Sequence, residues 1–456
     1  MGGRVMGEPS RRGFLKGLGA AALAAGGAGT LSACGGSSST GGAVTGGTGE
    51  PSGSITVWSW KNPAAELRAL IPAFNAVHPK VKVTVQDIGN PAIWDKITIG
   101  MEAGGQGLGD LLHIGVDYLP NYIEKFPNGL ADLSKLGAGQ YSNAFAPGLW
   151  QTVSRGEKVY ALPWEANAGS FFYRDDLFRK AGVDPATLAT WDDVIAAGKK
   201  VKDATGTALV AIDKSASAAD SANLFQLLMQ LQGVFYFNTD GKITLNSPEA
   251  VRALTLVKEL NDAGLVVDVQ GSPGTSTYDA AVKAGKVAVC PDPAWYGGYM
   301  ETFATDSSGD WRVMLPPAVT AGGSRSAIVN STHLAVAGTS QNQRAAFAFA
   351  EFALTRPESQ VQIFKDKGIF PALLKAYDDP VFHQPDPFFG GQKYAEVFIA
   401  ELSNPSTPTN YTADYPRALK LIDDAQTKVL LQGADPAAVL KDAAGQLAQQ
   451  THRAQA

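Results

Sequence analysis

Residues 54–115 alternate between the two-residue apolar period of a strand and the longer apolar period of a helix. The predicted strands and helix starts, in chain order, are 54–60, Asn62-Pro63, 81–85, Asn90-Pro91 and 110–115. Pro72 falls inside the first helical run, where we expect it to kink or restart the helix. Strands that alternate with helices in this way predict a parallel α/β sheet.

The same alternation continues after Trp164. It predicts strands at 209–212 and 287–290. It also predicts three helices: one capped by Thr190 and Asp193, one from Ser247-Pro248 to Gly264, and one to Thr355 that begins with a capping box of Ser340 and Gln343. Beyond Pro371 the pattern is mostly helical. Cys290 lies inside an apolar strand and is expected to be buried there as a small apolar side chain.

The N-terminal segment resembles two export signals in sequence. Arg11-Arg12 resembles a twin-arginine (Tat) signal, and Leu31-Ser-Ala-Cys34 resembles a bacterial lipobox, in which Cys34 is lipidated and becomes the mature N-terminus. The apolar run between them is too short and too rich in glycine to span a bilayer. We therefore predict a signal peptide at 1–33, a flexible Gly/Ser/Thr-rich tether at 34–53, and a lipid-anchored protein on the extracytoplasmic face of the membrane.

Charge and cysteine content narrow the possible partners. The chain has 38 basic and 43 acidic residues, and loss of residues 1–33, which hold four basic and one acidic residue, leaves 34 against 42 and a net charge near −8. This sign argues against nucleic acid or anionic lipid surfaces as partners. Cys34 and Cys290 are the two cysteines, so no disulfide can form without the anchor residue.

A search for catalytic and cofactor motifs finds almost none. The sequence contains no HExxH, CxxC, Gly-x-Ser-x-Gly or Walker motif, and its five histidines are scattered. The glycines at 105–109 follow a predicted helix and precede a strand, the reverse of the order in a dinucleotide-binding loop. We expect no cofactor, no metal and no enzymatic reaction.

Aromatic residues beside polar ones recur where predicted strands end. Carbohydrates have apolar C–H faces, which aromatic rings cover, and hydroxyl groups, which Asp, Glu, Asn and Arg bind. In open α/β sheets ligands sit at the carboxyl ends of strands. The clusters are Trp58 and Trp60 beside Lys61-Asn62, Asp117-Tyr118, Trp164 beside Glu165 and Asn167, and Asp292 before Trp295-Tyr296 in a segment that its prolines and glycines predict to be a loop.

Several segments in register resemble the extracellular solute-binding proteins of sugar-type ABC importers, the maltose-binding-protein-like family. The resemblance covers about 54–440. Its segments are Ile71-Pro-Ala-Phe-Asn-Ala-Val-His-Pro79, Gly109-Asp110-Leu-Leu, Gly156-Glu-Lys-Val-Tyr-Ala-Leu-Pro163, Phe172-Tyr-Arg-Asp-Asp-Leu-Phe-Arg-Lys-Ala-Gly182, Thr190-Trp-Asp-Asp193, Ala284-Gly-Lys-Val-Ala-Val289, Gly322-Gly323 and Lys367-Gly-Ile-Phe-Pro371.

This resemblance implies a type II periplasmic-binding-protein-like fold, with two discontinuous α/β lobes, a hinge and a ligand cleft between the lobes. We place lobe 1 at 54–165 and 323–368 and lobe 2 at 166–322 and 369–450, with crossings near 165–167, 322–324 and 368–370. The implied function is capture of a mono- or oligosaccharide and its delivery to ABC permease subunits in the membrane. We expect a monomer that binds no nucleic acid.

Matching positions imply a set of ligand-binding residues. Those that follow from the resemblance are Trp60, Asn62, Asp117, Tyr118, Trp164, Glu165, Asn167 and Trp295, and their loop positions add Asp292, Tyr296 and Arg325. Two positions depart from the family pattern: Val289-Cys290 replaces the usual Ala-Met, and Pro63 stands where a polar contact is common.

Two other functions remain open at this point. The same fold could bind a polyamine, a metal chelate or a sugar phosphate, although a mixture of Trp, Asp and Asn with one Arg favours a neutral polyol. An exported glycoside hydrolase would need two carboxylates roughly 5 to 10 Å apart, and Glu165 with Asp292 is the pair we would assign to it.

Overall fold

The computed structural model describes residues 49–217, 221–402 and 409–456. Contacts between Cα atoms group these residues into one compact unit, within which the strands form separate sheets. The strands are β1 (Gly53–Ser59), β2 (Val81–Asp87), β3 (Leu111–Gly115), β4 (Ser154–Arg155), β5 (Lys158–Val159), β6 (Leu162–Pro163), β7 (Phe171–Arg174), β8 (Val210–Ile212), β9 (Val266–Asp268), β10 (Val289–Cys290), β11 (Trp311–Met314) and β12 (Thr332–Val336).

Fifteen α-helices lie among and after these strands in the described residues. They are α1 (Lys61–Val77), α2 (Ala92–Glu102), α3 (Leu119–Lys125), α4 (Pro147–Val153), α5 (Asp175–Lys180), α6 (Trp191–Thr205), α7 (Asn223–Gln230), α8 (Pro248–Asp262), α9 (Ser276–Lys283), α10 (Ala294–Phe303), α11 (Gln343–Leu354), α12 (Pro357–Lys367), α13 (Tyr394–Leu402), α14 (Tyr415–Gln432) and α15 (Pro436–Thr451).

The first sheet has five strands in the order β2-β1-β3-β12-β6. β1 pairs in parallel with β2 and β3, as the alternating pattern at 54–115 predicts, whereas β12 runs antiparallel to β3 and β6. Apolar side chains of α1 and α11 pack with one side of this sheet, and those of α2 and α3 pack with the other. We call this part of the molecule lobe 1.

The second part of the molecule is built on shorter strands. β10, β7 and β11 form an antiparallel sheet, and β8 pairs in parallel with β9. A parallel bridge between Ala208 and Val287 brings β8 beside β10. Helices α6, α7, α8, α14 and α15 contribute to one core here, and we call this part lobe 2. The two α/β lobes match the fold class that the sequence predicts.

Three chain segments pass between the lobes and pair with one another. Glu165 forms an antiparallel bridge with Pro371, and Ala168 forms one with Ile328. The N–H of Val329 donates to the carbonyl of Asn167 at 2.8 Å. The paired middle segment therefore lies near 327–332, several residues after the crossing at 322–324 that we placed from the sequence. The exact lobe boundaries stay a prediction.

Local signals in the sequence were mostly confirmed. Thr190 and Asp193 form the expected capping box of α6, Ser247 caps α8, and Cys290 is a buried free cysteine in β10. Helix α1 runs continuously through Pro72 and does not restart there, whereas a kink at this residue stays a prediction. The capping expected for α11 was wrong.

The capping box expected at the start of α11 is absent, because Ser340 Oγ accepts from the N–H of Asn342 at 3.0 Å and the Gln343 side chain binds a carbonyl. Asn342 is the N-cap of this helix and makes no side-chain cap bond. Ser340 Oγ donates to Asp110 Oδ1 at 2.6 Å, and Gln343 Nε2 donates to the carbonyl of Gly338 at 2.8 Å.

The export and lipidation signals, with Cys34 and most of the tether, lie outside the described residues. Among the residues that are described, no helix has the length and apolar character that a membrane span requires.

Candidate functional site

Three partly exposed aromatic rings meet at the carboxyl ends of β1 and β3. Trp60 directly follows β1, Tyr118 follows β3, and Trp94 projects from the first turn of α2. The Trp60 and Trp94 ring centroids are 5.2 Å apart in an edge-to-face arrangement, and Tyr118 stacks on Trp94 at 4.7 Å. We call Trp60, Trp94 and Tyr118 the lobe 1 aromatic surface. Asp117 lies beside it and is half-buried.

A chain of polar side chains runs beneath this surface to the first crossing. His113 Nδ1 lies 3.0 Å from Ser59 Oγ, and His113 Nε2 lies 2.9 Å from Thr332 Oγ1. The Thr332 hydroxyl donates to Glu165 Oε1 at 2.8 Å, so Thr332 Oγ1 accepts from an Nε2–H of His113 and Ser59 donates to Nδ1. Burial lowers the pKa of His113 well below its usual range, so the imidazole is neutral.

Trp164 belongs to the core in this structure and does not border open space. Its side chain is 1 % exposed, and its ring lies 4.9 Å from that of His113. Trp164 Nε1 is buried and has no hydrogen-bond partner among the described residues. The ring therefore supports the lobe 1 aromatic surface from below, through His113, which in turn lies 4.3 Å from Trp60.

Glu165 and Asn167 lie buried at the first crossing. Burial raises the pKa of Glu165 to about 7, and hydrogen bonds from Thr332 and Asn167 act against this rise. Asn167 Nδ2 donates to the carbonyl of Asn330 at 2.8 Å, so the amide ties two crossing segments together. Its Oδ1 has no partner in the described part of the chain. Both side chains offer hydrogen-bonding atoms at the junction of the lobes.

The loop predicted around Trp295 is a helix, α10, which begins at Ala294. Gly297 and Gly298 suggested a loop, but both are packing positions of this helix. A Cβ added at Gly298 would lie 2.6 Å from Gly368 Cα, so glycine is needed for α10 to approach the third crossing. Trp295 remains partly exposed at the start of the helix.

Other aromatic residues of α10 surround Trp295. Tyr299, one turn further, is also partly exposed, and its ring centroid lies 6.0 Å from that of Trp295. Tyr296 is fully buried, and its hydroxyl donates to Asp279 Oδ1 at 3.0 Å. We call Trp295 and Tyr299 the lobe 2 aromatic surface.

Asp292 lies buried behind this surface and accepts a hydrogen bond from the Tyr278 hydroxyl at 2.9 Å. Burial raises the pKa of Asp292 to about 7; the Tyr278 hydrogen bond lowers it and the charge of Asp279 raises it further. Burial also raises the pKa of Asp279. The raised pKa of Asp292 thus comes from its own buried surroundings and from Asp279, and that of Glu165 comes from burial at the first crossing. Glu165 and Asp292 do not act on each other's pKa.

Two predicted site residues lie apart from these groups. Arg325 donates from Nε to the carbonyl of Pro316 at 2.9 Å and from Nη2 to the carbonyl of Leu315 at 2.8 Å, so it holds a turn of its own chain. Asn62 is exposed in the first turn of α1 and has no described contact with either aromatic surface. Their role in binding stays a prediction.

Three observations show that the lobes lie close to each other. The charge of Lys61, at the start of α1, lowers the pKa of Asp279 in α9. Arg453 Nη2 of lobe 2 lies 3.9 Å from Glu124 Oε2 of α3. A cavity at the middle crossing is lined from both sides, by Val116, Gly148 and Thr152 of lobe 1, by Ile328, Asn330 and Ser331 of the crossing, and by Thr409 and Tyr411 of lobe 2.

Four residues of these groups were not among the predicted site residues: Trp94, His113, Asp279 and Tyr299. Trp94 shares a helical face with Ile97 and Met101, which predicted packing, and the other three owe their position to contacts distant in sequence. The spacing of Trp295 and Tyr299 was the available signal, because it places both rings on one face once the segment is read as a helix. Within the described ranges, no group of three or more His, Cys, Asp or Glu residues could hold a metal ion.

Comparison with known proteins agrees with this architecture. The family model of the bacterial extracellular solute-binding proteins matches residues 58–360. An arabinooligosaccharide-binding protein of Bacillus subtilis is 25% identical over 405 residues, which are 87% of this chain and 92% of that protein. A lactose-binding protein of Rhizobium radiobacter is 25% identical over 356 residues, 76% of this chain and 81% of that one.

A solved structure shares the fold over nearly its whole length. It is the ABC transporter associated binding protein of B. animalis subsp. lactis Bl-04 in complex with β-1,6-galactobiose, which matches with a TM-score of 0.72 and 25% identity over 87% of this chain and 97% of that chain. Since the family model covers well over half of the sequence, the chain belongs to the bacterial extracellular solute-binding proteins.

Proposed function

We propose that this protein captures a neutral sugar, a mono- or oligosaccharide, in the cleft between its lobes and delivers it to the permease of an ABC importer. The observation that carries the proposal is the pair of partly exposed aromatic surfaces, one on each lobe. Indole and phenol rings cover the apolar faces of a sugar at low entropic cost. The three relatives described above, by their names, bind arabinooligosaccharides, lactose and β-1,6-galactobiose.

Polar groups at the junction of the lobes complete the proposed site. The buried amide of Asn167 and the carboxyl of Glu165 would bind sugar hydroxyls when the cleft opens, and Asp117 would do so beside Tyr118. A ligand that contacts both aromatic surfaces binds the closed form better than the open one, so it shifts the hinge toward closure. Closure then presents both lobes to the permease.

Lipidation at Cys34 after export by a Tat-like signal would hold the mature protein at the outer face of the membrane as a monomer. The support for this is the order of Arg11-Arg12 and Leu31-Ser-Ala-Cys34 in the sequence. In cells, Cys34→Ala should move the protein from the membrane fraction to the soluble fraction. Membrane retention of the variant, with no lipid mass on the wild-type N-terminal peptide, would contradict this part of the proposal.

The other functions considered from sequence make different demands on the site. A polyamine needs several clustered carboxylates that face the ligand, whereas the Asp279 carboxylate already accepts hydrogen bonds from Tyr296, Tyr299 and the Gly274 N–H. A glycoside hydrolase needs two carboxylates that act on one bond, whereas the carboxyls of Glu165 and Asp292 each have their own hydrogen-bond partner. Both observations favour binding of a neutral sugar without cleavage.

A ligand panel tests the proposal. The mature protein is melted with lactose, β-1,6-galactobiose and arabinotriose, and in parallel with spermidine and glucose 6-phosphate. A sugar at about 100 times its dissociation constant should stabilise the native state by about 2.7 kcal/mol and raise the melting temperature. Chromatography of the incubated sugars should show no cleavage. A shift with spermidine or the phosphate alone, or cleavage products, would contradict the proposal.

A further inference from the structure

The carboxylate of Asp279 binds three groups that all border Trp295. Its Oδ1 accepts hydrogen bonds from the Tyr296 hydroxyl at 3.0 Å and the Gly274 N–H at 3.2 Å, and its Oδ2 accepts from the Tyr299 hydroxyl at 3.0 Å. Asp279 lies in the first turn of α9 and is 8 % exposed. Water therefore competes weakly for these bonds.

Two of these partners flank the indole ring. Gly274 has a positive φ of 86°, and a Cβ added there would lie 3.2 Å from Trp295 Cη2, so the backbone of this loop covers one edge of the ring. Tyr299 also lies beside the indole, one helical turn along α10, with its ring partly exposed. A single carboxylate thus fixes both neighbours of Trp295.

We propose that Asp279 is the positioning residue of the lobe 2 aromatic surface and that Tyr299 is a ligand-contacting residue beside Trp295. The carboxylate holds the Gly274 loop and the Tyr299 ring in place before ligand arrives, so that both rings act as one platform. A preformed platform loses less side-chain entropy on binding than two independent rings. This inference rests on the proposed function, because the platform serves a bound sugar.

The first test needs no ligand. Hydrogen exchange of the mature wild-type protein and of Asp279→Ala is compared by mass spectrometry in peptides that cover residues 271–277. Loss of the acceptor should speed exchange in these peptides at least about fivefold while peptides from lobe 1 keep their wild-type rates. Equal exchange in both proteins would overturn the positioning role.

The second test measures affinity by calorimetry with lactose, β-1,6-galactobiose and arabinotriose as probes. Asp279→Ala should weaken binding of the preferred probe roughly tenfold. Asp279→Asn should recover most of this loss, because the amide oxygen still accepts from Tyr296 and Gly274 and the amide N–H can donate to the Tyr299 oxygen.

Two phenol variants separate positioning from general stability. Tyr299→Phe removes one bond to Asp279 and should weaken binding about threefold to tenfold. Tyr141→Phe is the matched control, because Tyr141 donates to Glu351 Oε1 at 2.5 Å in lobe 1, away from the platform, and should keep wild-type affinity.

The outcomes are distinguishable. If Asp279→Ala and Tyr299→Phe bind the probe as tightly as wild type does, the inference is wrong although the proposed function stands. If the wild type binds none of the three sugars, the proposed sugar-binding function is contradicted. The hydrogen-exchange experiment needs no ligand, so it still decides whether Asp279 positions the platform.

Discussion

The two aromatic surfaces, one on each lobe, are built in different ways. The lobe 1 surface takes one ring from each of three separate elements, and its rings hold one another through edge and face contacts. The lobe 2 surface comes from one helix, α10, and a buried carboxylate fixes the hydroxyl of its second ring. A surface made of several elements depends on the core beneath it, whereas a surface on one helix depends on local anchors.

This difference indicates where each surface is vulnerable. Under lobe 1, Trp60 rests on His113, and His113 rests on Trp164. Under lobe 2, the Asp279 carboxylate and the close approach of Gly298 to Gly368 set the position of α10. Substitutions below the lobe 1 surface should therefore act mainly on stability, and substitutions in the lobe 2 surface should act mainly on affinity.

The largest effect should come from Trp164→Ala, which removes the buried ring beneath His113 and the lobe 1 aromatic surface. Removal of this fully buried ring should lower the free energy of unfolding by about 3–5 kcal/mol, as is typical of large cavities. Urea denaturation without sugar measures it. A loss below about 1 kcal/mol together with much weaker sugar binding would show that Trp164 contacts the ligand, as the sequence suggested, and does not serve as core.

The second effect is a pH dependence of the free energy of unfolding, which comes from one buried carboxyl in each lobe. The pKa values of Glu165 and Asp292 are raised to about 7 from ordinary values of 4.5 and 3.8, so between these limits the folded state binds more protons than the unfolded state. The contribution of these two carboxyls to stability is therefore fully present below their ordinary pKa values and is lost as pH rises through 7. Ionisation of each carboxyl should lower the free energy of unfolding by about 2 kcal/mol between pH 5 and pH 8.

Glu165→Gln and Asp292→Asn test this pH dependence one lobe at a time. Each amide variant should flatten part of the decline in unfolding free energy between pH 5 and pH 8, because the amide does not titrate. The measurement is chemical denaturation in a buffer series. An unchanged slope in either variant would mean that its carboxyl is not the buried titrating group.

The third effect should fall on affinity alone. Trp295→Ala should weaken sugar binding ten- to a hundredfold, about 1–3 kcal/mol by analogy with bases stacked on aromatic rings. Because Trp295 is partly exposed, the melting transition without ligand should stay near that of wild type. Calorimetry and a thermal melt measure the two quantities. If the affinity of Trp295→Ala for the sugar stays within twofold of that of wild type, Trp295 does not stack on the ligand.

The smallest effect concerns the ion pair that joins the lobes. Arg453 and Glu124 are separated by 3.9 Å and are both partly exposed, so the pair is worth at most about 1 kcal/mol. Arg453 Nε also donates to Asp414 Oδ2 at 2.8 Å, so the test changes only the partner on lobe 1. Glu124→Gln should lower affinity slightly at low salt and leave it unchanged at high salt, where the pair is screened. Equal affinity of Glu124→Gln and wild type at low salt would show that this pair does not link closure to binding.

The contrast between the surfaces also explains what the sequence could predict. Apolar periods fixed the strand and helix order of lobe 1, and the position of Trp60 and Tyr118 after β1 and β3 followed from that order. Trp164 is among the predicted ligand contacts because its neighbours Glu165 and Asn167 are polar, whereas only the tertiary structure shows its buried ring packed against His113.

The lobe 2 surface was harder to predict for a different reason. Gly297 and Gly298 are loop-forming in isolation, yet here they allow α10 to pack closely against Phe172 and Gly368. The rest of α9 and strand β10 lie between Asp279 and Trp295 in the sequence. Nothing in the local sequence of Asp279 indicates that it binds Tyr296 and Tyr299. Long-range packing overrides local propensity at both points.

The most direct test of the account is a crystal structure of the mature protein with the sugar that the ligand panel identifies. We expect sugar rings held between the two surfaces, against Trp295 and Tyr299 on one lobe and against Trp60, Trp94 or Tyr118 on the other. A sugar bound to one lobe only, or outside the cleft, would contradict it.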